Sequence, residues 1–267
     1  MTATRGRIVN PFLTGAGSVA QRSLIAAIAM AILSGCAGVP PNPTPTPSRT
    51  EAPPSESSAA PTAQDVMGFA KLARLAPGTY FIDPDSDPST PLRVVYDVPE
   101  GWSQWFGALK FVGDGHVTMN ITTIVNVVRD GCDDPTGADP PVGPTVDDLA
   151  VALANLAPFR LTAGPDDVTK YGYRGKFLEL TALDLPFVAG DFTGCVDGHL
   201  SSWVAPIDVA EGEGGAFYAY DAKPVEEFWI LDVEGERLVI EATWSIDAPA
   251  PDLAEMRAIL DSIRLEP

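Results

Sequence analysis

The stretch EFWILDVEGERLVIEATW, residues 227–244, is the clearest structural signal in the chain. Residues 227–233 and 237–244 are rich in Ile, Leu, Val, Phe and Trp, and Glu234-Gly235 stands between them. Apolar, β-branched runs on either side of a short Gly-containing turn predict an antiparallel hairpin, with Gly235 free to take positive φ. After it, Leu253, Met256, Leu260 and Ile263 recur at helical spacing and predict a terminal helix over 252–263. Before it, residues 200–204 and 216–220 predict short strands around an acidic loop, 208–215, that carries Asp208, Glu211 and Glu213.

Further toward the N-terminus, residues 159–162, 168–171 and 176–182 predict strands. Thr145 followed by Asp148 is a capping-box start, and Leu149, Ala152, Leu153 and Leu156 form the apolar stripe of a helix over 145–156 that Pro158 ends. Residues 108–112 and 117–128, joined by Gly113-Asp114-Gly115, predict a second hairpin whose second arm is long and β-branched. Strands are expected over 79–82 and 92–98. The spacing of Val66, Phe69, Leu72 and Leu75 predicts a short helix over 65–75. The expected fold class is α+β: a twisted, mainly antiparallel sheet covered by two or three helices, after a disordered N-terminal region. Nothing alternates as βαβα and no Gly-rich phosphate loop occurs, which disfavours a doubly wound nucleotide fold.

The N-terminal region reads differently. Arg5, Arg7 and Arg22 precede an apolar run of ten residues, 24–33, and no acidic residue occurs before Glu51. Ten residues fall short of the roughly 20 that a spanning helix needs, so residues 1–35 read as a secretory signal. Its end, Leu33-Ser34-Gly35-Cys36, resembles the lipobox of bacterial lipoproteins. That resemblance implies a diacylglyceryl group on Cys36, cleavage just before it, and a place on the outer face of the cytoplasmic membrane. Residues 36–64 read as a lipid-anchored spacer, with eight prolines between residues 37 and 64 and no apolar periodicity. Such a tract reaches about 87 Å as polyproline and about 30 Å as a flexible coil. Residues 65–267 are long enough for one domain with its own core.

Loss of residues 1–35 removes three arginines and no acid, which leaves 14 basic against 36 acidic residues, a net charge of −22. So acidic a surface repels phosphate, which excludes nucleic acid as a partner, and it repels anionic head groups. Membrane contact then falls to the lipid. There are three cysteines, Cys36, Cys132 and Cys195. With Cys36 acylated, an oxidising compartment predicts a Cys132–Cys195 disulfide. A metal or redox pair lacks C-x-x-C spacing and a nearby third ligand.

The order of landmarks is Val98-Pro99-Glu100-Gly101-Trp102, then residues 175–180 (GKFLEL), then Trp229-Ile230-Leu231-Asp232, then residues 259–263 (ILDSI). It resembles exported lipoprotein domains of actinobacteria and, more distantly, the PsbP-like fold. The resemblance implies a sheet-and-helix fold and a cell-surface role, and it carries over no catalytic residue.

Chemistry-bearing motifs are sparse. No Gly-x-Ser-x-Gly elbow occurs, and only His116 and His199, the latter beside Ser201 and Ser202, can serve as imidazole bases. Both histidines follow Asp-Gly, but an extended strand over 117–128 would hold His116 about 40 Å from Cys132 and so away from His199. Asp83, Asp85 and Asp87 alternate, yet Pro88 and Val94 stand where a Ca²⁺ loop needs Gly and Glu, so a solvated turn is expected. No metal or cofactor site is expected. Trp102, Trp105 and Phe106 form an aromatic group suited either to a ligand groove or to plugging the sheet end. The leading expectation is a non-catalytic binding or adaptor domain for an envelope protein or small molecule. The alternative is an envelope hydrolase acting on wall or lipid material.

Overall fold

The hairpin of residues 227–244 forms and is longer than its sequence signal. Strands β15 (Pro224–Val233) and β16 (Glu236–Ser245) pair in unbroken register from Pro224↔Ser245 to Val233↔Glu236. Glu234 and Gly235 both take positive φ, 55° and 97°, as a two-residue primed turn requires. The structure, a computed structural model, describes residues 62–85, 91–113, 115–204, 216–219 and 221–266. Cys36 with the signal and nearly all of the spacer, Asp87, Asp114 and the acidic loop 208–215 lie outside the described residues.

The hairpin is the centre of a seven-stranded antiparallel sheet. On one side of it run β6 (Gly115–Thr122), β5 (Gly107–Val112) and the short edge strand β4 (Ser103–Trp105). On the other run β10 (Tyr173–Thr181) and the edge strand β9 (Arg160–Lys170). Because side chains alternate along a strand, the hairpin feeds two cores at once. Trp229, Leu231, Leu238, Ile240 and Ala242 face one side, where Met256, Ile259 and Leu260 of the C-terminal helix α2 (Ala250–Asp261) pack on them. A four-stranded sheet joins this layer: β1 (Gln64–Asp65), β2 (Gly78–Ile82), β3 (Arg93–Val98) and β17 (Arg264–Glu266). Phe228, Ile230 and Val239 face the other side, against Leu149 and Leu153 of α1 (Val146–Ala154). Trp203 comes to that side from a third sheet of β7 (Asn126–Asp130), β8 (Asp134–Gly137), β13 (Leu200–Val204) and β14 (Ala216–Ala219).

The domain is therefore sheet-rich and mainly antiparallel, and its two described α-helices cover only part of the central sheet. Smaller sheets do the rest of the covering expected of helices. The capping box forms as read: the Asp148 N–H donates to Thr145 Oγ1 at 3.1 Å, and the Thr145 N–H donates to Asp148 Oδ2 at 3.0 Å. The cysteine pair also forms. Cys132, between β7 and β8, is disulfide-bonded to Cys195 with Cα atoms 4.4 Å apart; Cys195 lies in a loop that also carries the two-residue strands β11 (Phe187–Val188) and β12 (Asp191–Phe192).

Three expectations are corrected. The helix over 65–75 is replaced by β1, a single 3-10 turn at Val66–Gly68 and an irregular segment. That segment bonds the edge strand and the residue before it: the Leu72 and Leu75 N–H groups donate to the Gln104 and Trp102 carbonyls. The arm over 117–128 is two strands in different sheets. After Thr122 the chain leaves the central sheet, and Arg237 stabilises the crossing by donating to the Ile124 carbonyl at 2.7 Å. The β-branched run 121–125 gave no local sign of this break, which removes the straight-strand premise used to separate the two histidines. Residues 159–162 and 168–171 belong to one strand, β9, which bulges at Gly164. Gly164 has φ of 75°, and a Cβ there would lie 2.2 Å from the Phe177 carbonyl oxygen. Pro165 is tolerated because β9 is an edge strand.

Candidate functional site

The sequence-predicted aromatic group is split by strand parity. Trp102 and Trp105 are three residues apart, an odd number, and end on opposite faces. Trp102 is fully buried beneath α2, where its Nε1 donates to Glu255 Oε2 at 3.1 Å. Trp105 walls a cleft on the other face, with its ring edge-on to that of half-buried Phe106, centroids 5.5 Å apart. Trp102 is therefore core, and Trp105, itself largely buried, is the member of the group that lines the cleft.

The cleft is open, of about 200 Å³, and lined by Lys71, Leu72, Trp105, Leu109, Phe111 and His116. Phe111 and Leu72 are 55 % and 44 % exposed, unusual for side chains of their size. Lys71 Nζ stands 4.6 Å over the Trp105 ring. His116 closes the far end, its ring 5.0 Å from that of Phe111 and its Nδ1 3.5 Å from Asp221 Oδ1. The backbone N–H of His116 also donates to Asp221 Oδ1, at 2.8 Å. The buried Asp221 carboxylate approaches so closely that a Cβ on residue 115 would lie 2.3 Å from it, which explains Gly115.

Behind Trp105, Leu109 and His116 is a second, small cavity of about 20 Å³, enough for roughly one water. Three carboxyl groups line it, those of Asp221, Glu226 and Glu241. Glu226 on β15 lies opposite Thr243, and Glu241 on β16 lies opposite Phe228, so the two glutamates are diagonal neighbours on one face of the hairpin. Each is only 2 % exposed. Glu241 accepts from Asn120 Nδ2 at 2.7 Å and from Trp203 Nε1 at 3.1 Å. Burial pushes its carboxyl up to about 7, and the Asn120, Trp203 and Thr243 donors oppose that rise. Burial, and then the neighbouring Glu241 charge, push Glu226 well above the ordinary carboxylate range, with a hydrogen bond to Ser202 opposing. Among the described residues Glu226 Oε2 and Asn120 Oδ1 have no hydrogen-bond partner. Two adjacent carboxyls so placed disfavour double ionisation and titrate as a pair. Glu227, next in sequence, faces the opposite core and has its counter-ion, Arg257.

Sequence reading missed this pair. The available signal was Glu241 inside LVIEATW: a strand apolar on both faces leaves no solvent for a charge. Ser202, His116 and Asp221 line the same cavity, the residue types of a serine hydrolase. The Ser202 hydroxyl, however, bonds Glu226, and about 20 Å³ does not admit an acyl group. His199 is exposed after the 3-10 turn Val196–Gly198, and Ser201 is buried beneath it. The Asp85 N–H donates to Asp83 Oδ1 at 3.3 Å, as in a turn. Among the described residues no three His, Cys, Asp or Glu side chains are grouped to hold a metal ion, and no helix is long and apolar enough to cross a membrane. No family model, curated protein or solved structure matches the chain.

Proposed function

We propose that the chain is an exported lipoprotein, anchored by a diacylglyceryl group on Cys36, whose domain binds a small apolar ligand in the Trp105 cleft without transforming it. The observation that carries the reading is the cleft itself. Leu72, Leu109, Phe111 and Trp105 present contiguous apolar surface, and Lys71 at the rim offers a cation to an acidic head group. Engagement of the Ser202 hydroxyl by Glu226 supports a non-catalytic role. The Leu33-Ser34-Gly35-Cys36 motif and the spacer behind it support the anchor.

The test uses the full chain with Cys36→Ser, titrated with anilinonaphthalene sulfonate, an apolar dye bearing an anion. One saturable site is expected, weakened at least tenfold by Leu72→Glu and by Phe111→Ala. Dye affinity indifferent to both substitutions would refute the cleft as the site. Ester turnover lost on His116→Ala and Ser202→Ala would favour the hydrolase alternative instead. Fatty-acid labelling that survives Cys36→Ser would refute the anchor.

A further inference from the structure

Glu226 and Glu241 are both buried on one face of one hairpin, and among the described residues no lysine or arginine lines their cavity. Such a pair is untenable as two full charges without a positive counterpart. Its surroundings divide the labour. Glu241 receives the Asn120 and Trp203 N–H groups and is equipped to be the ionised member. Glu226 has an oxygen without a partner among the described residues and is equipped to hold a proton. Among the described residues the other titratable groups facing the cavity are His116 from β6 and Asp221 from the turn before β15. Strands β4, β5, β13 and β14 contribute Trp105, Leu109, Ser202 and Ala219, none of them charged, and Lys71 stands beyond the Trp105 ring in the cleft.

We propose that Glu226 and Glu241 share one proton, and that this proton keeps Trp105 seated as the wall common to the cavity and the apolar cleft, so that its loss reshapes the cleft. Release of the proton to solvent leaves two adjacent carboxylates in a space of about 20 Å³, which must then widen to admit water. The walls are unequal. Strands β6, β15 and β16 are interior strands, laddered on both sides, whereas β4 is a three-residue strand at the sheet edge whose outer side is held by three backbone bonds to the irregular segment at residues 72–75. The edge yields first, and Trp105 is its last residue. The inference rests on the Trp105 cleft being the ligand site, and it adds the regulation of that site by pH.

The experiment is the dye titration of the full Cys36→Ser chain between pH 6 and 9, run beside infrared difference spectroscopy. The dye Kd is expected to rise at least tenfold over that range and to stay flat in Glu226→Gln, the neutral isostere of the protonated acid. A protonated-carboxyl band at pH 8, above the Glu241 value of about 7, is expected in the parent and lost in Glu226→Gln. Equal dye affinity at pH 6 and 9, or absence of that band, overturns the inference. If no dye binds at any pH, the cleft reading fails by itself. The pH-dependent emission difference between the parent and Trp105→Phe then decides, and an unchanged difference overturns the inference. Should Glu226→Gln fail to fold, Ser202→Ala serves in its place. It removes a donor to the Glu226 carboxylate and is expected to move the transition to higher pH; a transition left in place overturns the inference.

Discussion

Replacing Cys132 and Cys195 together by alanine isolates the work of the crosslink. The bridged residues are 63 apart in sequence. In the chain-entropy account, a closed loop of that length costs the denatured ensemble about 4 kcal/mol at 25 °C. The native side should change little. The Val196 N–H donates to the Cys132 carbonyl at 2.8 Å and the Ser201 N–H donates to the Gly131 carbonyl at 2.8 Å, so backbone bonds hold the two segments together without the sulfurs. Most of the loss should therefore arise in the unfolded state. Urea denaturation followed by tryptophan emission should show a fall of about 3–4 kcal/mol and a larger m-value, because the open chain exposes more surface. In a domain of this length that corresponds to about 6–16 °C in Tm. Wild type with reductant should match the double variant. A loss below about 1 kcal/mol with m unchanged would refute the entropic argument, and two titratable thiols in the folded, unreduced chain would refute the bond.

Other perturbations read separate parts of the fold. Thr145→Ala removes the N-cap of α1 and should cost about 1 kcal/mol; Asp148→Ala should cost about as much, and the two should not add, since they break one reciprocal pair. Gly164→Ala places a Cβ 2.2 Å from the Phe177 carbonyl oxygen at φ of 75°, so a loss of about 2–3 kcal/mol and faster amide exchange confined to β9 are expected. Stability should fall as pH rises from 5 to 8. Burial raises both Glu226 and Glu241, Glu241 to about 7, while the unfolded chain releases their protons near 4.5, so the folded state binds more protons across that window. The loss is on the order of 3 kcal/mol by urea titration, and a rise with pH over the same range would refute the assignment.

Short-range chemistry was legible in the sequence. The Thr145–Asp148 cap, the Glu234-Gly235 turn, the terminal helix and the alternation of residues 227–244 each depend on neighbours within a few positions, and each formed. The cysteine pairing was legible from arithmetic once Cys36 was set aside for lipid. Long-range register was not. Nothing local says that the chain leaves the central sheet after Thr122, because the signal for the break is an arginine 113 residues away, bonding the Ile124 carbonyl. Nothing local separates Trp102 from Trp105 until the strand is known to be a strand, and then an odd spacing decides it. Glu226 and Glu241 meet only because a ten-residue ladder fixes them as diagonal neighbours, and Trp203 and Asn120 reach Glu241 from two further strands. The sequence by itself determined the capped helix, the terminal helix and the tight hairpin turn, since those free energies are local. The tertiary structure alone decided which side chains share a cavity, because pairing across a sheet sums contacts that no window of sequence contains.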